Sequence, residues 1–281
     1  MSSMFSARAA GTSNMPRLRT TFLRGMVVTL STPAILIGVF VCVFLVWLVA
    51  LVVGFQGPSL FMANALGMPP IGTTFDLQVI SLSLRVTDPA NSLLAALPFM
   101  VGRAVLVGVV LGMSVGVLDR GRATADGALR GLLVAPMVLI VTLIELGFLF
   151  VGNIVGSLAG AGLGVFVQVG AIAAGLYLLG YAPVAQLREG RGVLQSLSRS
   201  TAAARIPGSS SLALAVFYAV PSVFLQFVVS GLGVNPSPQL WAFVLSANIL
   251  HVAVMATYAY RWMCVEDEIP EPSARRREPR R

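Results

Sequence analysis

The chain has 281 residues, of which 57% are hydrophobic and 11% charged, with a mean hydropathy of +0.87. Soluble domains carry roughly 25% charged residues, so this composition excludes a water-soluble globular protein and leaves no stretch for a separate soluble domain. The formal charge of +8 comes from arginine alone, set at the chain ends and in two short loops, which excludes a nucleic-acid face of basic residues alternating with aromatics.

Residues 1–15 are small and polar without periodicity, as expected of a disordered N-terminal tail. Arg17, Arg19 and Arg24 then alternate with Leu18, Phe22, Leu23 and Met26. That pattern predicts a short N-terminal amphipathic helix at the inner headgroups, with its arginines in the phosphate layer. The apolar run from Met26 to Phe55 is about twice the length of a signal-peptide core and lacks a small-residue cleavage site, so it reads as an uncleaved anchor. Ser31-Thr32-Pro33 is a helix-start signal, and the first span is expected over 33–55.

Gln56-Gly57-Pro58 ends that span and opens the longest loop. Within it, Phe75 to Val86 sets apolar residues between Asp76, Gln78, Ser81, Ser83 and Arg85, nearer a strand period than a helical one. Asp88-Pro89-Ala90-Asn91 caps a second span over 93–118, and Asp119 to Gly131 is a basic turn. Further spans are expected over 132–154 and 163–184. A second basic loop over 186–210 holds Arg188, Arg191, Arg199 and Arg205, and a fifth span over 212–232 carries Pro221 as a kink. The sixth span, over 240–263, is flanked by Trp241 and Trp262, which predict opposite aromatic belts. Glu266, Asp267 and Glu268 then open a tail over 266–281 that reads as disordered.

Of the 19 basic residues, all but Arg85 and Arg103 fall on the side of the two termini, which predicts cytoplasmic N- and C-termini under the positive-inside rule. The expected fold is all-α, a polytopic bundle of six transmembrane helices over 16–265. Cys42 and Cys264 lie about a membrane apart and cannot pair, and no Cys/His spacing points to zinc or another cofactor.

The two basic loops resemble each other. Gly121-Arg122 is followed by Arg130-Gly131 at the offset that separates Gly190-Arg191 from Arg199-Ser200, and each loop reads as a short helix whose arginines reach phosphates. Arg122, Arg130, Arg191 and Arg199, with the three N-terminal arginines, are therefore candidate contacts for anionic lipid headgroups. In the second loop, Pro183, Leu187-Arg188-Glu189-Gly190-Arg191-Gly192 and Ser196-Leu197-Ser198-Arg199-Ser200 resemble a pattern in six-span bacterial membrane proteins. These proteins are similar to the membrane domain that precedes some glycerophosphodiester phosphodiesterases. The resemblance implies a six-span fold and a bacterial cytoplasmic (inner) membrane location. It carries over no catalytic residue, and Ala204-Arg205-Ile206-Pro207-Gly208 departs from the aromatic-rich approach to the fifth span.

Inside the spans, Arg103 lies 16 residues before Asp119 and Glu145 lies 15 after Arg130. At ~1.5 Å per residue they sit ~24 and ~22 Å from the same turn, level on antiparallel neighbours. A lone charge at mid-span costs on the order of 3 kcal/mol, so an Arg103–Glu145 ion pair is expected, either fixing the hairpin or serving as a proton or anion site. Gly108, Gly112 and Gly116 form a smooth face on the far side of that span, suited to packing within the chain or to a homodimer. Gly152, Gly156, Gly160 and Gly164 repeat the spacing. His251 and Asn248 in the sixth span, with Gln168 and Gln226, are candidate interhelical hydrogen-bond partners or a polar intramembrane site; a lone His makes a metal site improbable.

The first functional reading is a non-catalytic integral membrane protein, acting in membrane organisation or as an accessory component in contact with anionic lipid. The alternative is a permease-type transport protein with an intramembrane Arg/Glu site and a cytoplasmic partner docked on the 186–210 loop, although that loop lacks the Glu-Ala-Ala…Gly spacing of ABC-permease coupling loops. No nucleophile has a base placed beside it.

Overall fold

A computed structural model describes residues 16–52, 89–159, 161–206, 210–231, 238–267 and 269. The described residues form helices: α1 (Leu18–Ser31), α2 (Pro33–Val52), α3 (Pro89–Arg120), α4 (Ala125–Leu132), α5 (Ala135–Ala159), α6 (Ala161–Leu179), α7 (Ala182–Glu189), α8 (Val193–Ala204), α9 (Ser211–Gly231) and α10 (Pro238–Val265). The alternating segment over 75–86, with Arg85, and the 270–281 tail lie outside the described residues.

Two helical stretches are long and apolar enough to cross a membrane, Met100–Arg120 within α3 and Val169–Glu189 through α6 and α7. Two bent pairs satisfy the same test together: α1 with α2, at 79°, and α4 with α5, at 48°. Two to four candidate spans among the described residues make this a multi-pass membrane protein, because only helices satisfy all their backbone groups within one segment in lipid.

The bends have local causes. Pro33 lacks a donor and follows Thr32 in extended conformation, so α2 starts afresh and takes a new direction. At the other bend, Leu133 and Val134 form a turn in which the Val134 amide donates to the Gly131 carbonyl at 3.0 Å. Each basic loop opens on a left-handed glycine, Gly121 at φ 72° and Gly190 at φ 63°, a conformation that a β-carbon disfavours. Both amides close the preceding helix, on Val117 and Gln186 carbonyls at 2.9 Å. The short helices α4 and α8 follow them.

Small residues set the helix approaches. On α1, Thr21, Gly25, Val28 and Thr29 are buried while Leu23, Val27 and Leu30 on the other face are exposed. Gly25 lies so close to α10 that a β-carbon there would overlap the Ala253 carbonyl and the Thr257 hydroxyl. The predicted N-terminal helix thus forms, and its small-residue face is seated on α10. The glycine face of α3 meets α4 of the same chain. A β-carbon on Gly112 would sit 2.8 Å from Gly131 Cα, and one on Gly127 would sit 2.8 Å from the Gly112 carbonyl oxygen. Gly108 faces Gly131 in the same crossing, while Gly116 has ordinary room beside Thr124.

The core contains Leu111, Met137, Leu176, Tyr181, Tyr218, Tyr258 and Trp262. Trp262 is fully buried, with its ring tilted against that of Tyr181 at 5.9 Å. It is therefore a core residue and not the lipid-facing belt residue that its flanking position predicts. Pro221 lies inside α9, which continues through it to Gly231.

Candidate functional site

A cluster of charged side chains lies where α3 and α10 finish and α7 and α8 lie between. Arg188, in the last turn of α7, donates from Nη1 to both Asp119 oxygens at 2.6 and 2.7 Å. Its Nε and Nη2 donate to Glu266 at 3.1 and 2.8 Å, fork against fork. One guanidinium so ties the end of α3 to the segment after α10.

Arg199 of α8 makes a second tie. It donates from Nε to Glu189 at 2.8 Å and from Nη1 and Nη2 to the Ile269 and Glu266 carbonyls, each at 3.1 Å. Its guanidinium also lies over the Trp262 ring, 5.9 Å from the centroid. Arg191 contacts the other Glu189 oxygen at 2.6 Å. These groups, with Asp267, line an open cleft of about 410 Å³. A smaller hollow of about 80 Å³ lies on the α4 side, among Asp119, Arg120, Thr124, Asp126, Arg130 and Arg188. There Asp126 pairs with Arg130 at 3.1 Å and with Arg120 at 3.4 Å, and all three side chains are about half exposed.

Deeper in the bundle, Arg103 and Glu145 are both buried, and the Arg103 charge acts on the Glu145 carboxyl. The carboxyl is lodged against Gly175 of α6, where a β-carbon would stand 3.2 Å from Oε1, and Oε1 has no hydrogen-bond partner. The His251 Nδ1 shares a hydrogen bond with the Tyr218 hydroxyl of α9, with the two rings edge to face at 5.4 Å. Asn248 is also fully buried. Among the described residues, no three His, Cys, Asp or Glu side chains converge as metal ligands would. No family model, no curated protein and no solved structure matches the chain.

The structure separates the seven arginines that hydropathy groups together. Arg17, Arg19, Arg122 and Arg130 are exposed. Arg24 is half-buried, bonded to the Tyr260 hydroxyl and lying 4.7 Å from that ring centroid. Arg191 is half-buried on Glu189. Arg199 is 4% exposed and fully engaged by protein, so it is no headgroup ligand; this corrects the expectation drawn from the loop's charge. Glu266 and Ile269 likewise belong to the fold and not to a disordered tail, since Ile269 is 5% exposed and both carbonyls accept from Arg199. Gln168 falls on α6 and Gln226 on α9, with side chains outside those described, as are the side chains of Cys42 and Trp241; the surroundings of Gly152, Gly156 and Gly164, and Gly160 altogether, also lie outside what is described.

Sequence reasoning misses the carboxylates of the clasp, Asp119, Glu189 and Glu266, because each reads as a solvated helix-end charge. It also misses Tyr181, Tyr218, Tyr258 and Arg261. A faint signal exists for Tyr258. Gly180 breaks the α6–α7 run where a β-carbon would stand 2.6 Å from the Tyr258 ring, so an otherwise unneeded glycine marks the tyrosine's path.

Proposed function

We propose that the chain is a non-catalytic six-span protein of the bacterial cytoplasmic membrane, with both termini in the cytoplasm, that organises the membrane face or serves a larger assembly there. The observation that carries this reading is α4. Exposed Arg130 sits beside exposed Leu129 and Leu132 in a short helix held against α3 by paired glycines, with exposed Leu133 in the turn that follows. Leucines of that kind enter the acyl boundary while neighbouring arginines meet phosphates. The internal neutralisation of Arg188 and Arg199 supports a rigid platform at the same face. The likeness of the 183–200 stretch to the membrane domain of glycerophosphodiester phosphodiesterases accords with an accessory role.

The test is lipid retention. The full chain is reconstituted in nanodiscs of mixed phosphatidylglycerol and phosphatidylcholine, and bound lipid is counted by native mass spectrometry. Arg122→Gln with Arg130→Gln should cut phosphatidylglycerol retention and spare phosphatidylcholine. Equal retention in wild type and variant defeats the reading.

A second reading, permease-type transport, is supported by the buried Glu145 with its unsatisfied Oε1 inside a helix of the bundle, since ionisable groups in spans mark ion or substrate paths. Proteoliposomes under a pH gradient separate the two. A proton flux that Glu145→Gln abolishes favours transport, and its absence in wild type leaves the organising role.

A further inference from the structure

Arg120 and Arg130 reach one carboxylate oxygen from two helices. Arg120, the last residue of α3, donates from Nη1 to Asp126 Oδ2 at 3.4 Å, and the Arg130 Nε of α4 meets the same oxygen at 3.1 Å. All three side chains line the hollow of about 80 Å³ described above, which has room for about two or three waters. On the α3 side its walls include Gly112 and Gly116, where no side chain fills the space. Thr124 lines it too. The Thr124 hydroxyl oxygen accepts from the Gly127 amide at 3.1 Å, which leaves its hydrogen to donate elsewhere.

One carboxylate thus answers two guanidiniums, and each arginine meets it through a single nitrogen while the other donors of its fork stay open. The surplus is one positive charge. Arg188, which also lines the hollow, adds nothing to it, because Asp119 and Glu266 both engage that guanidinium and leave the clasp one negative charge in excess. A ligand with one negative charge is therefore matched by the arginine pair. A second negative charge would meet the clasp instead and be repelled. Beside the hollow, exposed Leu129 and Leu132 on α4 offer apolar surface along which an acyl chain could lie.

We propose that this hollow is a binding site for one monoanionic phosphodiester, with Arg120 and Arg130 gripping its two unesterified oxygens and the Thr124 hydroxyl donating as a third arm. Planar guanidinium forks suit phosphate oxygens, and Asp126 sets the charge that the site accepts. A phosphomonoester, with a charge of about −1.5 to −2 at neutral pH, is disfavoured by that balance. The site rests on the membrane-facing placement of α4 proposed above and goes beyond it, from a surface that touches anionic lipid to a pocket that holds a single headgroup and selects it by charge. The same phosphodiester could come from a phospholipid or from a soluble diester of glycerol.

The test titrates the full chain in detergent with phosphatidylglycerol or phosphatidic acid and counts bound lipid by native mass spectrometry. Wild type should take up one phosphatidylglycerol per chain before any other lipid and prefer it to phosphatidic acid. Soluble glycerophosphoglycerol separates the sources: displacement of the lipid assigns the free diester, and retention against it assigns the headgroup of a whole lipid. Arg120→Gln should weaken the first binding step by about tenfold or more, while Arg122→Gln, outside the hollow, should leave that step as in wild type. Asp126→Asn raises the local charge by one and should shift the preference toward phosphatidic acid by about threefold or more, a gain that a misfolded variant would not show. Unchanged first-step affinity in Arg120→Gln overturns the pocket, even where Arg122→Gln with Arg130→Gln sheds lipid and the broader reading of α4 stands. An Asp126→Asn protein with the wild-type preference overturns the charge selection, and wild type that binds no first lipid more tightly than the rest overturns the site as a whole.

Discussion

Arg188 holds Asp119 and Glu266 at once, with Nη1 on one carboxylate at 2.6 Å and a two-pronged grip on the other. Without the guanidinium, two carboxylates face the same space. Arg188→Ala is expected to cost about 2 kcal/mol, read as a lowered midpoint of thermal unfolding in detergent. Arg188→Lys should recover little of it, since an ammonium cannot serve two forks. A lysine variant as stable as wild type would show that charge alone matters there.

The crossing of α3 and α4 makes a prediction about two glycines on one face. Gly112→Ala puts a methyl group into the backbone of α4 and should destabilise by about 1–3 kcal/mol, through overpacking. Gly116→Ala meets its nearest atoms at 3.6 Å and should stay within about 0.5 kcal/mol of wild type. Denaturant or thermal melts of the two variants side by side check the contrast, and equal effects would mean that the helices do not meet at Gly112.

Arg103 and Glu145 give a double-mutant cycle. Arg103→Leu alone leaves a buried carboxylate without its nearby positive charge and is expected to cost about 3 kcal/mol, most visibly as poor accumulation. Adding Glu145→Leu should restore much of that loss, for a coupling above about 1 kcal/mol. Additive losses in the two single variants would exclude a direct interaction between the charges.

Arg130 and Arg199 occupy matched places in the two basic loops, yet one side chain is 61% exposed and the other 5%. Arg130→Gln is expected to leave stability unchanged within about 0.5 kcal/mol, as exposed ion pairs contribute little. Arg199→Gln strips a carboxylate and two carbonyls of their donor and should cost about 3 kcal/mol. Accumulation in the membrane fraction with a thermal melt reads both, and an Arg199 variant as stable as the Arg130 one would contradict the clasp.

Much of this fold is legible in the chain itself. Long apolar runs dictate membrane helices because a bare backbone in lipid must bond within its own segment, and Gly121 and Gly190 mark helix ends because a left-handed turn favours a residue without a β-carbon. These are local properties, fixed by composition and period.

What the tertiary structure alone decides is which surface each group meets. The stripe of Gly108 and Gly112 is filled by Gly127 and Gly131, Trp262 turns inward, and Arg199 is claimed by Glu189 and two carbonyls while Arg130 is left in the open. Arg261, alike in sequence to its basic neighbours, is enclosed with two donors unsatisfied. Hydropathy gives every arginine the same value. Its fate depends on whether a carboxylate from a distant segment arrives within hydrogen-bonding distance, and that distance is set by the packing of helices far apart in the chain.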